Sequence, residues 1–336
     1  MKLFNKDLTK EIVVIAEIGV NHEGSLDSAL KLISLAHESG ADAVKFQSYT
    51  PERFIASNNK ERMERVKRFH LSQEDHLKLI SHSKNIGIPF FSTAVTEDWI
   101  PFLNENTPVI KIASGDITFE PIIRLAAQTG KPVILSTGGS SIKEVNQAIA
   151  WFKESSPHSD ISKKLILMHC VSSYPTEIED ANLNSIKYLE KETGLNIGYS
   201  NHVEGIIAPI LAISLGAHII EVHFTDTREN KIFHDHLLSV NPNELSKLTK
   251  VAPLIKLSLG SLDKFCNSKE RENLLLIRKG VVATENITKG QIIEAKHLIY
   301  ARPANHIDSS QLKMLIGKKS IKNILKGEML KFNMFN

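Results

Sequence analysis

Eight short apolar runs recur along the first 260 residues, separated by longer amphipathic segments, and no other feature constrains the fold of this chain as much. The runs are Ile12–Ile18, Ala43–Gln47, Pro89–Thr93, Val109–Ser114, Pro132–Thr137, Leu165–Cys170, Asn196–Ser200 and His218–Phe224. Several are rich in β-branched side chains, which suits a strand buried on both faces better than one with a wet face. Between them lie helix-like stretches such as Ser25–Glu38, Gln73–Asn85, Phe119–Gln128, Ile142–Lys153, Gly205–Leu215 and Asn243–Ser258. Several open on Ser, Asp or Asn and close on Gly, the chemistry expected at helix ends. Eight such units in about 250 residues match a closed parallel (β/α)8 barrel, whereas an open doubly wound sheet usually has fewer strands.

After residue 260 the texture changes. Residues 261–277 are expected to form a linker, since the stretch from Ser261 to Glu272 is charged and polar without clear periodicity. Residues 278–336 show short alternating runs, Gly-containing turns and Pro303, as in a small mostly-β module. Within that module Ile287-Thr288-Lys289-Gly290-Gln291-Ile292-Ile293 is echoed by Ile324-Leu325-Lys326-Gly327-Glu328-Met329-Leu330. Two hairpin turns that both use Lys-Gly, or a true internal repeat, would each produce the echo.

Composition narrows the function classes. With 42% hydrophobic and 24% charged residues the chain is globular rather than disordered, and a net charge of +3 gives no reason to expect nucleic acid as a partner. Cys170 and Cys266 are the only cysteines, too few for a disulfide framework, and a reducing compartment is expected. Residues 1–11 are polar, and no stretch approaches the roughly 18 apolar residues of a membrane span, so a soluble cytoplasmic protein without a membrane partner is expected.

In a barrel of this kind the reaction centre lies at the C-terminal ends of the strands. The predicted strands end with Glu17; Lys45 and Gln47; Ser92 and Thr93; Lys111 and Ser114; Ser136 and Thr137; His169; Ser200 and His202; and Glu221 and His223. Residues two apart share a strand face, so Lys45 with Gln47, and Glu221 with His223, can point into one cavity. A single residue of this kind is often a satisfied polar group at a strand edge. So many charges inside an apolar barrel are costly unless paired, and packing accounts for them poorly. Two lysines with several hydroxyls suit a small ligand bearing phosphate and carboxylate. No P-loop or dinucleotide fingerprint competes with them. His202 and His223 could share a metal ion while leaving positions open for oxygen ligands, which suits Mn²⁺ or a similar divalent ion better than a closed zinc site. His234-Asp235-His236 is a rival cluster, whose expected loop position favours substrate contact or solvent exposure.

These residues resemble the bacterial sialic acid synthases, including the relatives that make legionaminic and pseudaminic acids. The carrying segments are Ile15-Ala16-Glu17-Ile18-Gly19-Val20-Asn21-His22-Glu23-Gly24, Val44-Lys45-Phe46-Gln47, Lys111-Ile112-Ala113-Ser114-Gly115-Asp116, and Leu135-Ser136-Thr137-Gly138. They continue through His169-Cys170, Tyr174-Pro175, Gly198-Tyr199-Ser200-Asn201-His202 and Glu221-Val222-His223-Phe224-Thr225. The C-terminal module, with Ala301-Arg302-Pro303-Ala304-Asn305, resembles that family's antifreeze-like (SAF) domain.

The resemblance implies a barrel that binds phosphoenolpyruvate and Mn²⁺, or another divalent ion such as Mg²⁺ or Co²⁺, and joins phosphoenolpyruvate to an N-acylated amino sugar. It implies His202 and His223 as metal ligands and Glu17 as acid/base, with Lys45, Gln47, Thr93, Lys111, Ser114, Ser136 and Ser200 holding phosphoenolpyruvate. Lys45 and Lys111 are counted with Glu17 as catalytic because they neutralise the anionic reactant, and Glu221 is a further substrate-binding candidate. Tyr174 and Asp235 would touch the sugar. Arg302 would meet the sugar's acyl group from the partner subunit's SAF domain in a swapped homodimer. The chain departs from the usual family pattern at Ala94, Asp116, Ser172 and Phe233-His234-Asp235, and has a short segment from Ser48 to Leu71. These departures fall near the expected sugar pocket. Rival readings are a barrel that joins phosphoenolpyruvate to a phosphorylated aldose, and a non-catalytic sugar-binding relative.

Overall fold

The computed structural model describes all 336 residues, which form two compact units, Met1–Gly260 and Ser261–Asn336. A two-stranded hairpin, β1 (Lys2–Leu3) and β2 (Lys6–Asp7), precedes the barrel strands β3 (Val13–Gly19), β4 (Ala43–Ser48), β5 (Phe90–Ala94), β6 (Ile110–Ile112), β7 (Val133–Ser136), β8 (Leu165–His169), β9 (Asn196–Asn201) and β10 (Ile219–His223). The barrel strands are parallel, each pairs with the next, and β10 pairs with β3 to close the ring. All eight predicted strands are present, with ends shifted by a residue or two.

Strand alternation builds two cores. Outward side chains such as Val14, Ala16, Val44, Phe46, Phe90 and Leu135 pack beneath the helices. Inward side chains Val13, Ile15, Ala43, Phe91, Val109, Ile134, Ile166 and Ile219 fill the N-terminal half of the barrel, joined by Leu3 and Leu8 from the hairpin and its following turn. Burying a side chain of this size stabilises the fold by roughly 1.5–3 kcal/mol. Two residues further along several of these strands, the inward face turns polar: Ile15 gives way to Glu17, Ala43 to Lys45, Phe91 to Thr93, Val109 to Lys111, Ile134 to Ser136 and Ile219 to Glu221.

Helix caps follow the expected chemistry. Ser25 caps Leu26–Glu38, Ser72 and Asp75 form a capping box on Gln73–Ile86, and Asn241 with Glu244 caps Pro242–Leu259. Further helices include Ile100–Asn106 and Ser185–Thr193, which complete β/α units of the barrel, and Lys60–Phe69 and His234–Leu238, which lie in its loops. No helix is long and apolar enough to cross a membrane.

In the second unit, Ser268–Ile277 is a helix opened by an Asn267–Glu270 capping box, inside the stretch expected to be a linker. After it, β11 (Gly280–Ala283) pairs antiparallel with β12 (Leu298–Ala301) over a core that includes Val281, Ile287, Ile293, Ile307, Leu315, Ile324 and Leu330. The sequence echo is a true repeat. Ile287 and Ile324 exchange both backbone hydrogen bonds, and the amide of Lys289 donates to Asn323 as that of Lys326 donates to Asn286. Each contact is the image of another under a shift of 37 residues, so the two Lys-Gly turns are related by an approximate two-fold axis.

Candidate active site

At the C-terminal end of the barrel a cavity of about 1010 Å³ opens, with strand residues as its floor. Glu17, Lys45, Gln47, Thr93, Lys111, Ser114, Ser136, Tyr174, Ser200, His202, Glu221, His223 and Asp235 all line it. Of the residues singled out from sequence, Arg302 alone belongs to the second unit, where it is exposed.

Both lysines are buried, and each is satisfied. The Lys45 ammonium lies 2.9 Å from a Glu17 oxygen and 3.5 Å from Glu221, and donates to Thr93 Oγ1 at 2.9 Å. The Lys111 ammonium donates to Ser136 Oγ at 2.7 Å and lies 3.7 Å from the other Glu221 oxygen. Ser200 donates to Glu221 at 3.0 Å. Two cations and two anions thus share one desolvated floor, where removing a single member would leave its partners uncompensated.

The two carboxylates differ in character. Burial pushes Glu17 up to about 7, only partly opposed by Lys45. Burial acts on Glu221 in the same direction, but Lys111 and Lys45 outweigh it and hold that carboxyl well below its usual range. Environments that split a carboxylate pair in this way assign one to proton transfer and leave the other ionised. Burial depresses Lys111, while Glu17 and Glu221 overcome burial at Lys45 and raise it.

His202 and His223 face each other with ring centroids 5.4 Å apart, and Tyr174 lies against both, at 4.1 and 5.9 Å. His202 donates through Nδ1 to the Val171 carbonyl at 2.5 Å, which leaves Nε2 with its lone pair. Nδ1 of His223 is buried with no hydrogen-bond partner. Burial lowers both imidazoles, so both are neutral near pH 7. No third His, Cys, Asp or Glu joins them in a metal-binding group.

Three strand-end residues named from sequence lie outside the cavity, as alternation requires. Ser92, next to inward Thr93, bonds to Ser48, which in turn bonds to His76. Thr137 donates to the Met168 carbonyl, and His169 pairs with the Ala181 carbonyl and stacks on Tyr199. The 234–236 cluster is a short helix rather than a loop, and its members diverge. Asp235 is buried 3.0 Å from His234 at the cavity, whereas fully buried His236 turns away to Thr225 and Glu23.

The upper wall falls within two departures noted from sequence, the segment from Ser48 to Leu71 and Phe233, although no individual side chain of that segment was singled out. Phe54, Arg62, Arg65 and Phe69, from the segment between β4 and the helix Gln73–Ile86, line the cavity together with Phe233. The signal was available: Met63, Val66 and Phe69 recur every third residue through a charged run, as on the inner face of a short helix. Asp116 and Ser172, two of the departures, also face the cavity, and burial raises Asp116 to about 6.

Comparison with known proteins agrees with this geometry. Residues 32–264 match the NeuB family and residues 278–336 match the SAF domain. The chain is 40% identical over 311 residues to an uncharacterised protein of Methanocaldococcus jannaschii, covering 92% of this chain and 90% of that protein. It is 34% identical to the N,N'-diacetyllegionaminic acid synthase of Campylobacter jejuni, covering 96% and 99% of the two chains. Among solved structures, the N-acetylneuraminic acid synthetase of Leptospira borgpetersenii, crystallised with citrate, superposes with a TM-score of 0.73 at 37% identity, over 78% of this chain and 90% of that one. The chain belongs to the NeuB family of synthases and carries a C-terminal SAF domain.

Proposed function

We propose that this enzyme joins C3 of phosphoenolpyruvate to the aldehyde carbon of an open-chain N-acylated amino sugar, giving a nine-carbon sialic-acid-like acid and phosphate. The observation that carries this reading is the convergence of two ammonium groups, two carboxylates of opposite protonation tendency and two neutral imidazoles on one cavity floor. The names of the similar proteins, which include makers of legionaminic and N-acetylneuraminic acids, support it.

In this reading Lys45 and Lys111 neutralise the phosphate and carboxylate of phosphoenolpyruvate, and Gln47, Thr93, Ser114, Ser136 and Ser200 supply the remaining hydrogen bonds. Glu221 stays ionised and keeps both ammonium groups in place. His202 and His223 fit a divalent cation such as Mn²⁺, because both imidazoles are neutral and Nδ1 of His223 is buried without a partner. A bound divalent ion would supply Lewis acidity at the aldehyde oxygen.

When C3 of phosphoenolpyruvate bonds to the aldehyde carbon, cationic character develops at C2 and water adds there. Ionised Glu17 takes the proton that water gives up and passes it to the sugar oxygen, which becomes a hydroxyl. The tetrahedral carbon at C2 then expels phosphate by cleavage of its C–O bond, and the C2 hydroxyl proton leaves with it. Tyr174 and Asp235 orient the sugar. Arg302 of a partner subunit would reach the acyl group in a swapped dimer, and the protein would work in the cytoplasm.

The test is to incubate protein, Mn²⁺ and phosphoenolpyruvate with N-acetylmannosamine or a 2,4-diacetamido-trideoxyhexose, then measure phosphate and product mass. One of the two is expected to yield phosphate and a condensed acid in equal amounts. Release with neither, or only with a phosphorylated aldose, would overturn the reading.

A further inference from the structure

The turn at residues 21–24 follows β3, yet none of its side chains lines the cavity. It touches two helices that do. Buried Asn21 donates through Nδ2 to the Phe224 carbonyl just beyond β10 and to Ser239 Oγ, both at 2.9 Å. The Ser239 hydroxyl donates in turn to the Asp235 carbonyl at 2.6 Å. Glu23 lies 3.3 Å from His236 Nε2 and 3.2 Å from the Lys231 ammonium. These contacts secure the helix His234–Leu238, which presents His234 and Asp235 to the cavity.

On its other side the turn meets the end of the helix Lys60–Phe69. Gly24 has φ +85°, and a Cβ there would sit 2.0 Å from the Arg68 carbonyl oxygen, so only glycine permits the approach. Arg62, Arg65 and Phe69 reach the cavity from that helix. Phe69 and Phe233 meet edge to face at 5.1 Å, joining the two walls.

We propose that residues 21–24 form a clamp that sets the spacing of the two helices walling the sugar side of the cavity, and that Asn21 and Glu23 are positioning residues for the sugar acceptor. The proposal rests on the reading above, in which phosphoenolpyruvate occupies the strand-borne floor and the sugar lies beneath these helices. Loosening the clamp therefore acts on one substrate. Most floor residues sit on hydrogen-bonded barrel strands, and the turn reaches that floor through the Phe224 carbonyl, next to His223, so its main effect falls on the wall helices.

Two variants test it. Asn21→Asp keeps the size but replaces a donor with an acceptor facing two acceptors, and Glu23→Ala removes an exposed carboxylate without opening the core. KM for the sugar is expected to rise about tenfold in Asn21→Asp, equivalent to about 1.4 kcal/mol of binding. A smaller rise is expected in Glu23→Ala, with recovery in Glu23→Gln, while kcat and KM for phosphoenolpyruvate stay within about twofold of wild type. Hydrogen exchange at residues 233–239 is expected to quicken in Asn21→Asp and Glu23→Ala without any substrate present. An unchanged sugar KM in folded variants, or an equal loss toward both substrates, would overturn the clamp. If wild-type protein turns over no amino sugar, the functional reading fails by itself. The exchange measurement then decides the clamp, and unchanged exchange at residues 233–239 in both variants would end it.

Discussion

The floor and the upper wall of the cavity are built by different rules. Most floor residues sit on adjacent barrel strands, and Glu17, Lys45, Lys111, Ser136, Ser200 and Glu221 are almost wholly buried and hold one another through ion pairs and hydrogen bonds of 2.7 to 3.7 Å. The wall is carried by short helices outside the barrel, and Arg62 and Arg65 are exposed there without an ion-pair partner within 4.0 Å. A preorganised, desolvated floor suits a reactant that is always the same, because each group is worth most when nothing has to move. A helical wall can change side chains without disturbing the sheet, which suits selection among acceptors.

Experiments that break the contrast should act on the floor most strongly. Chelation of divalent ions is expected to abolish product formation, and added Mn²⁺ to restore it; full activity after exhaustive chelation would remove His202 and His223 from their assigned roles. Lys111→Ala should lower turnover by roughly 10²–10³ and weaken phosphoenolpyruvate binding, checked by steady-state kinetics and calorimetry. Wild-type values for both would show that this ammonium does not face the reactant.

Glu17 sharpens the contrast through pH. As a base it must be ionised, so kcat/KM is expected to rise with pH through about 7. Glu17→Gln should lower the rate by roughly 10²–10⁴ and lose that limb of the profile. Stability gives the same shift a second sign. The folded state holds this proton between the ordinary value of 4.5 and about 7, while the unfolded chain releases it. Wild type should therefore lose stability relative to Glu17→Gln as pH rises across that window, and parallel denaturation curves would contradict it. The smallest effect belongs to the wall: Arg65→Ala should change KM for the sugar by about 2–5-fold, within the range of a solvent-exposed charge, and leave KM for phosphoenolpyruvate unchanged.

The same division governs how much of the molecule was legible in the sequence. Strands buried on both faces announce themselves as short apolar runs, and period-two alternation predicts that Lys45 joins Gln47 and that Glu221 joins His223. That alternation, applied strictly, also turns Ser92, Thr137 and His169 outward, a consequence that reading strand ends as a list overlooks. The wall was harder to read. Lys60–Phe69 carries its apolar residues in a strongly charged run, and His234–Leu238 is only five residues long, too short for a period of 3.6 to show. Consecutive helical residues point about 100° apart, which is why His236 leaves the cluster that its spelling suggests. The helix Ser268–Ile277 buries none of its residues and so has no apolar stripe, although its Asn267-to-Glu270 cap was written in the sequence.

The most direct measurement is a crystal structure of the protein with Mn²⁺ and phosphoenolpyruvate. The phosphate and carboxylate of phosphoenolpyruvate are expected against Lys45 and Lys111, with an anomalous peak at His202 and His223. Phosphoenolpyruvate bound elsewhere, or a metal peak away from those imidazoles with the floor unoccupied, would contradict this placement.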